Sequence, residues 1–192
     1  MTAGRDALRE TLAAIDGKDY QRAGEAALRG VARPLRLAGE SLADLLERFA
    51  KPEDDALAWR DKVLGALDDA VPNVLDAVLV LYANVLFHRL VAPKPEPLFA
   101  LDVPSNEDVA KTAAAEIETR GMEGAADHFT HAAANDAAKL VSSIMNVAEL
   151  WSSCADDGSR LAAFYDSAEG AAAQMLATAK TLRVAAGVLR AA

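Results

Sequence analysis

Ala92-Pro93-Lys94-Pro95-Glu96-Pro97-Leu98-Phe99-Ala100-Leu101-Asp102-Val103-Pro104 is the one stretch of this 192-residue chain that reads plainly as a linker. Each of its four prolines lacks a backbone donor and pushes the residue before it away from the helical region. On either side, apolar residues recur at helical spacing, and no run alternates with period two for long enough to make a strand. The expected fold is therefore all-α. It is a helical bundle of two similar helical units, 1–91 and 105–192, joined by the Pro-rich linker 92–104.

The units are called similar because residues 8–55 lie over 110–157 at a constant offset of 102 with no gap. Identical pairs include Ile15/Ile117, Ser41/Ser143, Glu47/Glu149, Asp54/Asp156 and Asp55/Asp157, and Phe49 falls on Trp151. Two copies of a helical unit suit a scaffold better than a single catalytic centre.

Composition supports helix. Alanine is the commonest residue, aromatic residues are few, and apolar residues make up 52% of the chain, enough for a real core. The formal net charge of −9 is a poor match for nucleic acid or anionic lipid. Cys154 stands alone, so neither an internal disulfide nor a cysteine-built zinc site is available. No basic segment followed by an apolar one precedes the first amphipathic stretch, so no signal peptide is expected.

Along the chain, Leu8, Leu12 and Ile15 form a first short helix that Gly17 stops. From Asp19 a pattern through Leu35, Leu42 and Phe49 reads as one helix of about 30 residues, or two joined at Pro34. Lys51-Pro52-Glu53-Asp54-Asp55 ends it and opens the next, which carries Leu57, Val63, Leu64 and Leu67. Pro72 is placed as the first residue of a further helix, 72–91. Its run Ala77–Phe87 is too short for a bilayer, which needs about 20 apolar residues, so it is expected to be buried. Ser105 with Asp108 starts a helix to about Arg120, Gly121 breaks it, and a long helix runs from Glu123 to Ser153. The last segment, from Asp157, is helical with an interruption expected at Gly170.

Candidate sites are few. His128 and His131, with Asp127 and Asn135, could face a metal, but Glu-x-x-His, the spacing of carboxylate-bridged bundles, is absent. A solvated polar face is the plainer expectation. Asp76, Asn84 and His88 form a stripe that either lines a pocket for a pigment or marks an exposed helix edge. Arg22, Arg29, Arg33 and Arg36 fall within about 60° of one another on a continuous helix, and positive charge there opposes the helix dipole. They are the expected partner-binding residues. No phosphate loop, nucleophile elbow or Cys/His pair appears, so no enzyme, no catalytic residue and no cofactor is expected.

Leu12-Ala13-Ala14-Ile15-Asp16-Gly17-Lys18-Asp19-Tyr20, then Ala27-Leu28-Arg29, Pro34-Leu35-Arg36-Leu37, the acidic turn 51–55 and Leu67-Asp68-Asp69-Ala70 resemble the PsbQ-type extrinsic proteins of photosystem II. The likeness covers about 60 residues of the first unit, roughly a third of the chain. That family is a single four-helix bundle, so the linker and second unit depart from it. The resemblance implies a non-enzymatic subunit that docks onto a photosystem or its antenna in the thylakoid lumen. Without it, the cytoplasm is the expected compartment. Leu64-Gly65, Val71-Pro72 and the Ala-rich duplication are similar to peridinin–chlorophyll proteins, although their pigment-associated His has no counterpart in the matching helix. The expected function is a structural subunit of a larger protein assembly, with no nucleic acid and no membrane span. The alternative is a helical small-molecule or pigment binder.

Overall fold

The computed structural model describes residues 2–51, 54–154 and 158–192. Helices α1 (Ala3–Asp16), α2 (Tyr20–Leu28), α3 (Ala32–Ala50), α4 (Ala56–Val91), α5 (Asn106–Cys154) and α6 (Leu161–Ala191) follow in order, with a 3₁₀ turn at Gly158–Arg160. There is no strand among the described residues. Pro52 and Glu53 of the predicted stop, and Asp156 and Asp157 of the internal alignment, lie outside the described residues.

Local chemistry starts and stops these helices. The Asp19 carboxylate accepts from the Arg22 N–H at 3.1 Å, and Asp55 accepts from Leu57 and Ala58 at 3.0 and 3.3 Å. Ser105 and Asp108 bond reciprocally, as their spacing predicts, each backbone N–H reaching the other's side chain at 3.1 Å. Those Ser105 donors hold the Asp108 carboxyl below its usual range. Gly121 takes φ 73°, ψ 165° and divides α5 into two arms, again as predicted.

Three expectations need correction. Pro72 does not begin a helix; it lies inside the 36-residue α4. It is exposed there, so the Asp68 carbonyl that loses its donor is on the wetted side. The long second helix breaks at Gly30, whose φ of 77° ends α2, and Pro34 falls harmlessly in the first turn of α3. Gly170 interrupts nothing, because α6 runs through it.

Helix α4 packs against α1, α3 and α6, α6 packs against α5, and α3 crosses α5. One apolar cluster joins Leu35 and Leu42 of α3, Leu67 and Leu81 of α4, Leu140 of α5 and Phe164 and Leu182 of α6. By length and hydropathy alone α4 is long and apolar enough to cross a membrane, but half of its most apolar window is buried in this cluster. Buried positions recur at the 102-residue offset: Val31/Ala133, Leu35/Ala137, Ala38/Leu140, Leu42/Ile144 and Leu45/Val147 on the crossing helices. Ala66/Ala168, Ala70/Ala172, Ala77/Ala179 and Ala83/Ala185 continue it on α4 and α6.

Segment 92–104 is strapped to the bundle. Phe99 sits edge-on to Tyr82 with centroids 5.2 Å apart, and Leu98 and Leu101 pack on the core. Arg89 pairs with Glu169, Lys94 bonds Asp166 at 2.7 Å and Glu169 at 3.3 Å, and Arg183 donates to the Pro104 carbonyl. Burial pushes the Glu169 carboxyl up, but Arg89 and Lys94 outweigh it and leave it below its ordinary value. Lys94 likewise holds Asp166 low. A carboxylate with a depressed folded pKa stabilises above its unfolded pKa and loses that contribution as the pH falls. Cleavage within 92–104 by an acid-active protease is therefore expected to quicken below about pH 4, where both groups take up protons. With a protease active at neutral pH, Glu169→Gln should quicken cleavage there as well. Equal cleavage rates in parent and variant would mean that the ion pairs do not hold the strap.

Candidate functional site

The four arginines do not share a helix face. Arg22 lies on α2, Arg29 just beyond it, and Arg33 and Arg36 on the first turns of α3. The turn at Gly30 therefore cancels the geometry that a continuous helix would have given them. Arg22 and Arg29 share a polar recess with Asp19, Gln21 and Glu25, and Arg29 comes within 3.6 Å of Glu10. Arg36 forks onto Glu40 at 2.6 and 2.8 Å. All four are exposed. Such surface pairs contribute little to stability, ~0–1 kcal/mol, so they leave the arginines available rather than committed.

The polar stripe on α4 is not an exposed edge, because its members bond to or stack on other helices. Asp76 accepts from the Gly4 N–H at 2.7 Å and so caps α1. A Cβ on Gly4 would come within 2.1 Å of the Asp76 carbonyl oxygen, so only glycine allows this approach. Asn84 is 0% exposed and donates to the Ala27 carbonyl and, at 2.9 Å, to that of Val80. The break at Gly30 denies Ala27 its helical donor, and Asn84 replaces it. His88 stacks on Tyr165 with centroids 4.4 Å apart. Each member of the stripe thus ties a different helix to α4.

His128 and His131 are exposed; His131 Nδ1 lies 2.8 Å from the Asp127 carbonyl, and His128 meets Phe129 edge-on. Among the described residues no group of three or more His, Cys, Asp or Glu is placed to hold a metal.

Where α3 crosses the second arm of α5, a groove of about 800 Å³ opens to solvent. Leu28, Leu35, Ala43, Ile144, Met145 and Trp151 line it, together with Leu161 at the start of α6. Small side chains at Ala32, Gly39, Ala43 and Ala148 create the space. An added Cβ on Gly39 would meet Ile144 at 3.7 Å, an ordinary contact, so the helices touch at this point and the groove lies beside it. Trp151 packs on the buried Phe164 at 5.4 Å, while Met145 remains 67% exposed. Among the described residues, the only charged ones of the lining are Arg36 and Glu40, which are paired with each other.

A recess of about 930 Å³ between the first arm of α5 and α6 is larger but more polar. Its Arg190 is tied to Asp68, and its Arg183 to Pro104 and Asn106. The groove is not legible in the sequence because its signal, three small residues at helical spacing on α3 and one on α5, becomes a recess only once the two helices cross. No protein-family model, curated protein or solved structure matches this chain.

Proposed function

We propose that the protein is a non-catalytic interaction subunit that docks onto a larger assembly and uses the α3–α5 groove to meet an apolar group there. One observation carries the reading. The groove is a wide apolar recess, open to solvent, on a chain whose stripe of polar residues serves its own helices. Carboxylates with displaced pKa support a non-catalytic role: Glu47, Asp108, Asp166 and Glu169 sit in ion pairs or a helix cap, and none lines the groove. Arg33 and Arg36 follow the same edge of α3 and suit an acidic rim on the partner. The PsbQ-type resemblance supplies a photosystem or its antenna in the thylakoid lumen as the assembly; the cytoplasm is the setting without it. The alternative, a small-molecule or pigment binder, is favoured by the way α3, α5 and the start of α6 wall the groove.

Ala43 is exposed in the groove, so Ala43→Glu should leave the bundle folded while placing a charge against any apolar occupant. Size fractionation of lysate from source cells is expected to show the parent in a large complex and the variant largely outside it. Arg29→Glu with Arg33→Glu should release the chain with a steep salt dependence. A large-complex fraction unchanged by either variant would overturn the docking reading.

A further inference from the structure

The apolar groove invites three occupants: a partner helix, a second copy of this chain, or a small molecule. We infer that it holds one small, uncharged, apolar molecule per chain, an inference that rests on the alternative reading above and puts that molecule in the groove in place of a partner's apolar group.

Size is the first argument. Single-ligand sites measure roughly 300–1,000 Å³, and the groove, at about 800 Å³, lies within that range. A helix of three to four turns, ~10 Å across, displaces on the order of 1,300–1,700 Å³ and would stand half outside it. Charge is the second. Arg36 and Glu40 satisfy each other at 2.6 and 2.8 Å, so among the described residues the lining offers no free ion to an anionic or cationic ligand.

The third argument is a comparison inside the molecule. Leu28, Ala32, Trp151 and Leu161 of the groove stand 102 positions from Thr130, Ala134, Phe49 and Trp59. Those four line a second cleft, where the end of α3 meets the middle of α5. It measures about 290 Å³ and includes Asp127, Thr130 and His131. Trp59 lines it, its indole N–H donating to the Arg48 carbonyl at 3.1 Å, where the groove has only Leu161. The same helix crossing thus yields one small cleft with three polar residues in its lining and one large, more apolar groove. The large one is a product of side-chain choice, at Leu161 and at the small residues of α3 and α5, and not of the crossing itself. Those choices leave room for a molecule where the other cleft has an indole.

N-phenyl-1-naphthylamine, an uncharged apolar fluorophore, is the probe. Titration into the purified protein is expected to saturate at one molecule per chain. Leu161→Trp, which copies the Trp59 of the second cleft, and Ala43→Phe should each weaken it by about tenfold or more, a decade in Kd. Ala134→Phe, in the smaller cleft, should leave it unchanged. Circular dichroism on every variant separates loss of the site from loss of the fold. Binding that survives both filling variants, or that Ala134→Phe weakens equally, overturns the inference. If Ala43→Phe frees the chain from its large complex but leaves the probe bound, the groove seats a protein: the inference fails and the docking reading stands. Should Ala43→Phe alter neither, the docking reading fails with it. A dimer in sedimentation that Ala43→Phe dissociates would assign the groove to a second copy and also overturn the inference.

Discussion

Leu81→Ala is expected to destabilise the protein by about 2–5 kcal/mol, measured as a lower denaturant midpoint with an unchanged slope. Leu81 is 0% exposed and belongs to the one cluster that α3, α4, α5 and α6 share. Removing three carbons there costs the transfer free energy and leaves a cavity in a cluster whose packing resists collapse. Leu86, one turn on and only half-buried, should cost clearly less on the same substitution. Because the cluster crosses the strap, both halves should unfold in a single transition. A loss below about 1 kcal/mol at Leu81 would make the Ala77–Phe87 face a surface awaiting a partner. Two separate transitions would make the halves independent.

Asn84→Asp should cost a similar amount, about 3–5 kcal/mol near neutral pH, from a change of one functional group. Asn84 donates to two carbonyls, and its Oδ1 already has no donor among the described residues. A carboxylate in its place would face two oxygens with nothing to stabilise its charge. Its folded pKa would rise above the unfolded value, so the cost is full above the folded pKa and fades as the pH falls towards the unfolded one. Urea unfolding of parent and variant across that range should show the gap narrowing on acidification. A constant gap would mean that the lost cap, not the buried charge, is the cause. Asn84→Ala isolates the cap and should cost only about 1–3 kcal/mol.

Asn84 also marks where the sequence stopped being legible. Helical class, the capping pair Ser105/Asp108, the break at Gly121 and the site of the strap are all local, carried by spacing, proline and glycine. The continuity of α4 through Pro72 is not local, since burial around the proline outweighs one lost hydrogen bond. Gly30 was in plain view, yet Pro34 drew the predicted bend to itself. With that bend misplaced, Arg22, Arg29, Arg33 and Arg36 were assigned to one face they do not share. Asp76, Asn84 and His88 each act on a residue 57 or more positions away, and His88 and Tyr165 meet across the strap. No periodicity encodes such a meeting. The groove is of the same kind: Ala43 and Trp151 are ordinary residues until two helices cross.

The pairing of α4 with α6 has a consequence for the order in which the chain is made. Helix α4 is complete at Val91, but the helix that covers it ends at Ala191. At synthesis rates of about 5–20 residues per second, the ribosome needs roughly 5–20 s to deliver the cover. During that interval the nascent first half carries the run from Ala77 to Phe87 with one flank bare, long enough for a chaperone to find it.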